Sequence, residues 1–166
     1  MGYREIAGQR SAAWAGVAGL LLVAGYAVAG ALQVLVWNPL AAVPGATLAE
    51  IHAAMDRANE SLAAPAVLMW AATGLVLAAV VLIAGLRRSI SGKTAAALDL
   101  SLLVLAAPSH WMASFPAGMG LADAFLISGG DYAPWGGVLY AVSAVSLVAL
   151  IAVVTRRNRT PDEPAL

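Results

Sequence analysis

The chain has 166 residues, of which 61% are hydrophobic and 11% are charged, so it is not an ordinary soluble domain, in which about 25% of residues are charged. The formal net charge of zero argues against nucleic acid as a partner, because a nucleic-acid-binding surface needs an excess of basic residues. The absence of cysteine excludes disulfides, thiol catalysis and cysteine-ligated metal centres.

Four long apolar segments follow one another along the chain, at residues 11–37, 63–86, 94–115 and 134–154. Each reaches the length of about 20 residues that an α-helix needs to cross about 30 Å of hydrocarbon. We therefore predict an all-α integral membrane protein, a single domain of residues 1–166 built as a bundle of four transmembrane helices.

The basic residues cluster at three places around these segments. Short loops rich in Lys and Arg stay in the cytoplasm, so we expect both termini, including the tail 155–166, to be cytoplasmic. The expected location is the plasma (inner) membrane, as a multi-pass protein. The clusters are Arg4 and Arg10, then Arg87, Arg88 and Lys93, then Arg156, Arg157 and Arg159.

The outer loop after the first span is expected to carry an amphipathic helix at residues 47–62. Asn38-Pro39 and Pro44-Gly45 should break the helix of the first span. Thr47 can then cap a new helix, and Glu50, three residues later, completes a capping box. Apolar residues recur through this stretch at nearly helical spacing. The helix should lie on the outer face, either in the lipid interface or over the end of the bundle.

The second outer loop, at residues 116–133, is rich in glycine. Glycine breaks regular structure, so we expect an irregular segment. The sequence leaves open whether its apolar middle forms a short surface helix or dips back into the protein. A re-entrant segment would imply a cavity, because irregular backbone at membrane depth needs protein or water around it.

Asp99 is the one charged residue expected inside a span, where a charge costs about 2.5–3.5 kcal/mol. Its simplest role is an ion pair with Arg87, Arg88 or Lys93 at the cytoplasmic boundary. A proton- or cation-linked role and a polar contact inside the bundle are the alternatives. His110 follows eleven residues later, and eleven steps of about 100° bring it to nearly the same helix face.

A polar pocket is one hypothesis for the surroundings of His110. Pro108 should kink the helix and free a carbonyl group, and Ser109, Ser114 and Gln33 lie at a similar depth. The alternative is a neutral histidine that is hydrogen-bonded to backbone near the interface.

The outer loops hold five acidic residues and one basic residue. Together the acids would form a vestibule that attracts cations; for Asp131 the alternative is a turn that leads into the fourth span. The acids are Glu50, Asp56, Glu60, Asp123 and Asp131.

Methionine and histidine concentrate in the expected outer half of the molecule. Thioether and imidazole groups bind copper outside the cytoplasm, so a copper site is one hypothesis and haem ligation by the two histidines is another. Methionine also fills irregular apolar gaps. No other cofactor is assigned. The candidate ligands are His52, Met55, His110, Met112 and Met119.

No motif in the chain specifies a reaction, and no nucleophile–base pair is recognisable, because Ser109 faces about 100° away from His110 on a helix. The leading hypothesis is a non-enzymatic accessory or binding subunit that acts through its extracytoplasmic face. Besides the lipid bilayer, its expected partner is another membrane protein or a second copy. The alternative is a small-solute or cation transporter or channel that uses Asp99 and His110.

Overall fold

The computed structural model describes residues 2–156, with side chains from Arg10 onward. Within this range the chain is helical apart from its loops and has no β-strand. The elements are α1 (Gly2–Leu32), a π-helical turn (Gln33–Trp37), α2 (Asn38–Ala42), α3 (Leu48–Arg57), α4 (Ala64–Leu86), α5 (Gly92–Phe125) and α6 (Trp135–Thr155).

In the part of the chain that the structure describes, four helical segments are long and apolar enough to cross a membrane: Arg10–Ala42, Ala64–Leu86, Gly92–Phe125 and Trp135–Thr155. Large apolar side chains cover their outer surfaces; Val145 of α6, for example, is 69% exposed. Such extensive apolar surface is expected of helices that face lipid. The predicted all-α class is confirmed, and so is the presence in the described chain of four helices long and apolar enough to cross a membrane.

The helix α1 packs along α4 and α5, while α6 packs mainly along α5, so α5 contacts each of the other three long helices extensively. Small residues allow the close approach of α1 and α4. A Cβ atom added at Gly16 would lie 2.9 Å from the Cα of Leu82, and one added at Gly85 would lie 3.1 Å from the carbonyl oxygen of Ala12. Any larger residue at these two positions would push the helices apart.

The basic clusters meet at one end of the bundle, which we call the basic end. Gly92 lies against Ser11, and the Lys93 Nζ donates to the carbonyl oxygen of Arg156 at 2.8 Å. Three separate stretches of chain therefore come together there, as the charge pattern predicts. The side chain of Arg4 and all of Arg157 and Arg159 lie outside the described residues.

The opposite end, which we call the α3 end, consists of α2, α3 and the loop 126–134. The predicted capping box is confirmed there: Thr47 Oγ1 accepts from the Glu50 N–H at 3.3 Å, and the Glu50 carboxylate accepts from the Thr47 N–H at 2.8 Å. The predicted length of 47–62 is wrong. The helix ends at Arg57, because Ala58 enters a turn and Asn59 adopts a left-handed φ of 59°, which asparagine tolerates.

Of its two expected positions, α3 takes the one over the end of the bundle. Its side chains Ile51 and Met55 are buried in a cluster with Val34 of the first span and with Ala117 and Leu121 of α5. This contact buries the apolar face that the amphipathic pattern predicts.

The expected helix break at Asn38-Pro39 is wrong. The first span passes through the π-helical turn and continues as α2 to Ala42, and the helix breaks instead at the predicted Pro44-Gly45, where Gly45 adopts a left-handed φ of 86°. Pro39 therefore lies inside a continuous helical segment, directly after the π-helical turn, where its missing N–H removes one backbone hydrogen bond.

The expected start of the second outer loop at residue 116 is also wrong, because α5 continues to Phe125 with Pro116 inside the helix. A proline removes one hydrogen bond, while the added turns bury Ala117 and Leu121 against α3. The glycines also serve packing here: a Cβ atom at Gly120 would lie 2.8 Å from the carbonyl oxygen of Ser61. The apolar middle of the predicted loop is therefore part of α5.

Candidate functional site

The π-helical turn brings Gln33 and Asn38 to one side of the first span. In an α-helix, five steps of about 100° would separate them by about 140°. In the π-helical turn the Asn38 N–H bonds to the Gln33 carbonyl oxygen, so the two residues lie one turn apart on the same face. Both are buried, Gln33 to 0% exposure and Asn38 to 7%.

These two side chains tie the loop between α5 and α6 to the first span. Asn38 Oδ1 accepts from the backbone N–H groups of Tyr132, at 2.6 Å, and Ala133, at 3.3 Å. Gln33 Nε2 donates to Asp131 Oδ1 and to the Ala133 carbonyl oxygen, both at 3.4 Å. The Gln33 Oε1 atom is buried and has no hydrogen-bond partner.

A cavity of about 140 Å³ lies beside this contact, and we call it the α3-end cavity. It lies between the first span, α5, α6 and the loop that joins the last two. None of the side chains that line it, all within the described part of the chain, is basic. The residues lining it are Val34, Asn38, Trp111, Ser114, Phe115, Ala117, Gly118, Leu121, Gly129, Gly130, Asp131 and Tyr140.

His110 lies on the inner side of α5, 2% exposed. Its Nε2 atom is 3.2 Å from the Gly30 carbonyl oxygen, and its ring meets the Trp70 ring edge-on with 5.1 Å between centroids. Trp70 Nε1 in turn donates to Ser109 Oγ at 3.0 Å. The hydrogen bond to backbone that was expected for His110 as the alternative to a polar pocket is therefore present.

The residues of the predicted polar pocket separate into two places. His110 and Ser109 contact Trp70, whereas Ser114 lines the α3-end cavity, where its hydroxyl donates to the Trp111 carbonyl oxygen at 3.1 Å. Gln33 contacts Asp131, which lines that same cavity. The α3-end cavity, which contains part of the predicted polar pocket, is therefore built from the loop 126–134 as well as from the third span.

Asp99 is buried in the bundle, 3% exposed, and neither of its carboxylate oxygens has a hydrogen-bond partner. It packs against Gly19 of α1, where an added Cβ atom would overlap the carboxylate. The expected ion pair with Arg87, Arg88 or Lys93 is not formed among these described residues.

A polar contact lies between the levels of Asp99 and His110 along α5. The Ser143 hydroxyl of α6 donates to the Leu103 carbonyl oxygen at 2.7 Å and lies 3.3 Å from the Tyr26 hydroxyl of α1. Asp99 and His110 are themselves both buried, consistent with the shared face that their spacing predicts. Buried polar groups of three helices thus follow one another through the bundle, and we call this series the polar file.

The outer acids are dispersed. Asp131 lines the α3-end cavity and Asp123 is exposed outside that lining. Asp56 and Glu60 line a separate groove of about 250 Å³ beneath α3. The remaining acid, Glu50, belongs to the capping box, where hydrogen bonds from the Thr47 backbone and hydroxyl lower the pKa of its carboxyl.

The histidine and methionine side chains do not converge on one place, although His52 and Met55 both line the groove beneath α3. His52 is exposed on α3 while Met55 packs in the apolar cluster beneath it. On α5, His110 is buried, whereas Met112 is 71% exposed and Met119 is 43% exposed. Among the described residues no group of three or more His, Cys, Asp or Glu is placed to hold a metal ion.

Comparisons with protein-family models, with curated proteins and with solved structures found no match. The functional proposals for this chain therefore depend on the geometry of its buried polar groups.

Asn38, Tyr140 and Ser143 are polar residues of the site that the sequence analysis did not single out. A signal for Asn38 was present, because Gln33 and Asn38 are the two amide side chains of the first span and are five residues apart. That spacing suits a π-helical turn. The hydroxyl groups of Tyr140 and Ser143 gave no such signal, because single hydroxyl residues are common in transmembrane helices.

Proposed function

We propose that this chain is a non-enzymatic membrane protein that binds a partner protein or a small ligand through its α3 end. The observation that carries the proposal is the α3-end cavity, which four parts of the chain build around the side chains of Asn38 and Asp131. Concave sites with a few convergent polar groups are the usual places where proteins bind ligands.

We place the α3 end outside the cytoplasm and the basic end inside, in the plasma (inner) membrane. The reason is the concentration of Lys and Arg at the basic end, since such clusters remain cytoplasmic. In this orientation a partner subunit, or a second copy of the chain, approaches the α3 end from outside.

Site-specific photo-crosslinking in intact cells tests this proposal. A photoreactive phenylalanine analogue replaces Tyr140, which lines the α3-end cavity and is 39% exposed; a control replaces Val148, which is 68% exposed on the same helix nearer the basic end. We expect a discrete adduct from position 140 and none from position 148. Equal yields at the two positions, or no adduct at either, would contradict the proposal.

The second candidate function is transport of a small solute or cation along the polar file. The specific observation in its favour is Asp99, a carboxyl group inside a span with no hydrogen-bond partner. Ionisable residues in spans are costly and typically lie on ion or proton pathways.

Flux measurements in proteoliposomes test this candidate. Proton flux is followed with an internal pH-sensitive dye after a pH jump. On this hypothesis Asp99→Asn and His110→Ala each abolish flux while the protein stays monodisperse, and Asp123→Asn, at an exposed position of the same helix, leaves it unchanged. Undiminished flux in both of the first two variants would exclude transport through the polar file.

A further inference from the structure

The α3-end cavity combines one carboxylate with three aromatic side chains. Asp131 supplies the carboxylate, and Trp111, Phe115 and Tyr140 supply the rings. The Trp111 and Phe115 rings are 6.0 Å apart between centroids and inclined at 56°, so they form two differently oriented walls and do not stack. Aromatic faces and a carboxylate both attract a positive charge.

The hydrogen-bonding groups around the cavity also favour a cation. The amide group of Asn38 already contacts the loop: its Oδ1 accepts from the Tyr132 N–H and its Nδ2 donates to the Gly130 carbonyl oxygen. Asp131, by contrast, receives from Gln33 only one long hydrogen bond of 3.4 Å and is itself exposed. The Asp131 carboxylate therefore has acceptor capacity left, and no described basic side chain in the lining neutralises it.

The chemistry of the lining favours an organic cation over a metal ion. A divalent ion such as Ca²⁺ takes six to eight oxygen ligands, usually from several carboxylates, and this cavity offers one. Its volume of about 140 Å³ compares with an apolar cavity of about 150 Å³ that holds a benzene molecule. The space suits an ammonium group with a few carbon atoms.

We propose that the α3-end cavity binds a small organic ammonium ion, with Asp131 as its counter-charge and the three rings as its walls. The ion is either a free amine or the ammonium headgroup of a phospholipid, which share this chemistry. The inference rests on the proposed function only in taking the α3 end as the binding face.

Calorimetric titration of the purified full chain tests the inference. The protein is held in a maltoside detergent and titrated with tetramethylammonium chloride, and separately with sodium chloride, at one fixed ionic strength because salt screens charge. We expect saturable binding of tetramethylammonium and none of sodium. Asp131→Asn should weaken the binding by about tenfold or more. The matched control Asp123→Asn, whose side chain lies on α5 outside the lining, should leave it unchanged.

The rings have a matched control of their own. Trp111→Leu should weaken tetramethylammonium binding, whereas Trp14→Leu, on a side chain that is 71% exposed in the first span and outside the lining, should not. The inference is overturned if tetramethylammonium does not bind saturably to the unmodified chain. It is also overturned if sodium competes equally, or if Asp131→Asn binds as well as the unmodified chain.

Nanodiscs separate the two sources of the ammonium group. If a lipid headgroup occupies the cavity, tetramethylammonium binds more weakly in phosphatidylcholine nanodiscs than in nanodiscs of a neutral galactolipid, which has no ammonium group and no surface charge; if the ligand is a free amine, the two affinities agree. Both results support an ammonium site. Adduct formation at position 140 without any tetramethylammonium binding would leave the proposed binding face intact and reject only the ligand class.

Discussion

Asn38 anchors the α5–α6 loop to the first span through hydrogen bonds that the π-helical turn makes possible. Its side-chain oxygen meets two backbone N–H groups, and its amide nitrogen lies 3.5 Å from the Gly130 carbonyl oxygen. A buried polar side chain that has its hydrogen-bond partners costs little stability. Removing that side chain leaves its partners buried without a hydrogen bond, which is destabilising. The loop conformation, and with it the α3-end cavity, depends on this residue.

Replacement of Asn38 by alanine should therefore loosen the loop. The N–H groups of Tyr132 and Ala133 lose their acceptor, which should lower the free energy of unfolding by about 1–3 kcal/mol. Hydrogen exchange checks this: the two amides should exchange faster in Asn38→Ala than in Asn38→Asp, which keeps an acceptor oxygen. Equal protection in both variants and in the unmodified chain would show that Asn38 does not hold the loop.

Gly19 makes room for the buried Asp99 carboxylate. We expect Gly19→Ala to lower the thermal midpoint in detergent, because the new methyl group would overlap that carboxylate. Gly25 is the matched control on the same helix, since nothing lies within 4 Å of a Cβ atom there; Gly25→Ala should raise the midpoint slightly because alanine favours helix.

The contact between Gly19 and Asp99 can be isolated by a double variant. In the Asp99→Gly background, Gly19→Ala should lose most of its destabilising effect, since both the carboxylate and the Cβ atom of residue 99, which the new methyl group would overlap, are gone. If the loss in thermal midpoint is the same with and without Asp99, the two residues do not contact each other and the buried position of Asp99 is wrong.

At the scale of elements, hydrophobic length identified the four spans and the Thr47–Glu50 spacing identified the start of α3. Two errors fell where proline and glycine were taken as helix breakers, and a third was the end of α3, which stops at Arg57. Pro116 lies inside α5 because the helix gains buried contacts with α3 beyond it, and such tertiary gains are not encoded in local propensity. The π-helical turn escaped prediction for a related reason: its register is favoured by contacts with a loop almost one hundred residues away.

The start of α3 should depend on pH. Hydrogen bonds from Thr47 lower the pKa of Glu50 below its ordinary value of 4.5. A depressed carboxyl pKa contributes stability that is full above the unfolded-state pKa and is lost as the pH falls through the folded-state pKa. The first turn of α3 should therefore fray on acidification below about pH 4.5.

Carbon chemical shifts of residues in α3 would follow this transition during a titration from pH 7 to pH 3. Glu50→Gln provides the control, because its neutral side chain should remove the pH dependence of that turn in this range. An identical acid transition in the Gln variant would assign the effect to another carboxyl group.

At the scale of the whole molecule, the apolar spans separate two ends that differ in charge: the basic clusters lie at one end, and the acidic and amide side chains of the cavity lie at the other. The sequence predicted that the basic clusters would share one end, and it predicted Gln33, Ser114 and Asp131 as polar residues at the other. It did not predict that a loop would bring Asp131 against Gln33, because contacts between distant parts of a chain depend on packing. Asp99 was expected to pair with a cation at the basic end and lies unpaired between helices instead.

In the proposed orientation the α3 end faces away from the cytoplasm and the basic end faces into it. Since the chain has no cysteine, the introduced residue is the only thiol of each single-cysteine variant that a maleimide can label. Ser128→Cys places a thiol in the α5–α6 loop, and Ser89→Cys places one in the turn between α4 and α5. Both positions are exposed, and both changes replace a serine. A membrane-impermeant maleimide should label position 128 in intact cells and position 89 only after permeabilisation. Labelling of position 89 in intact cells, with position 128 protected, would contradict the account.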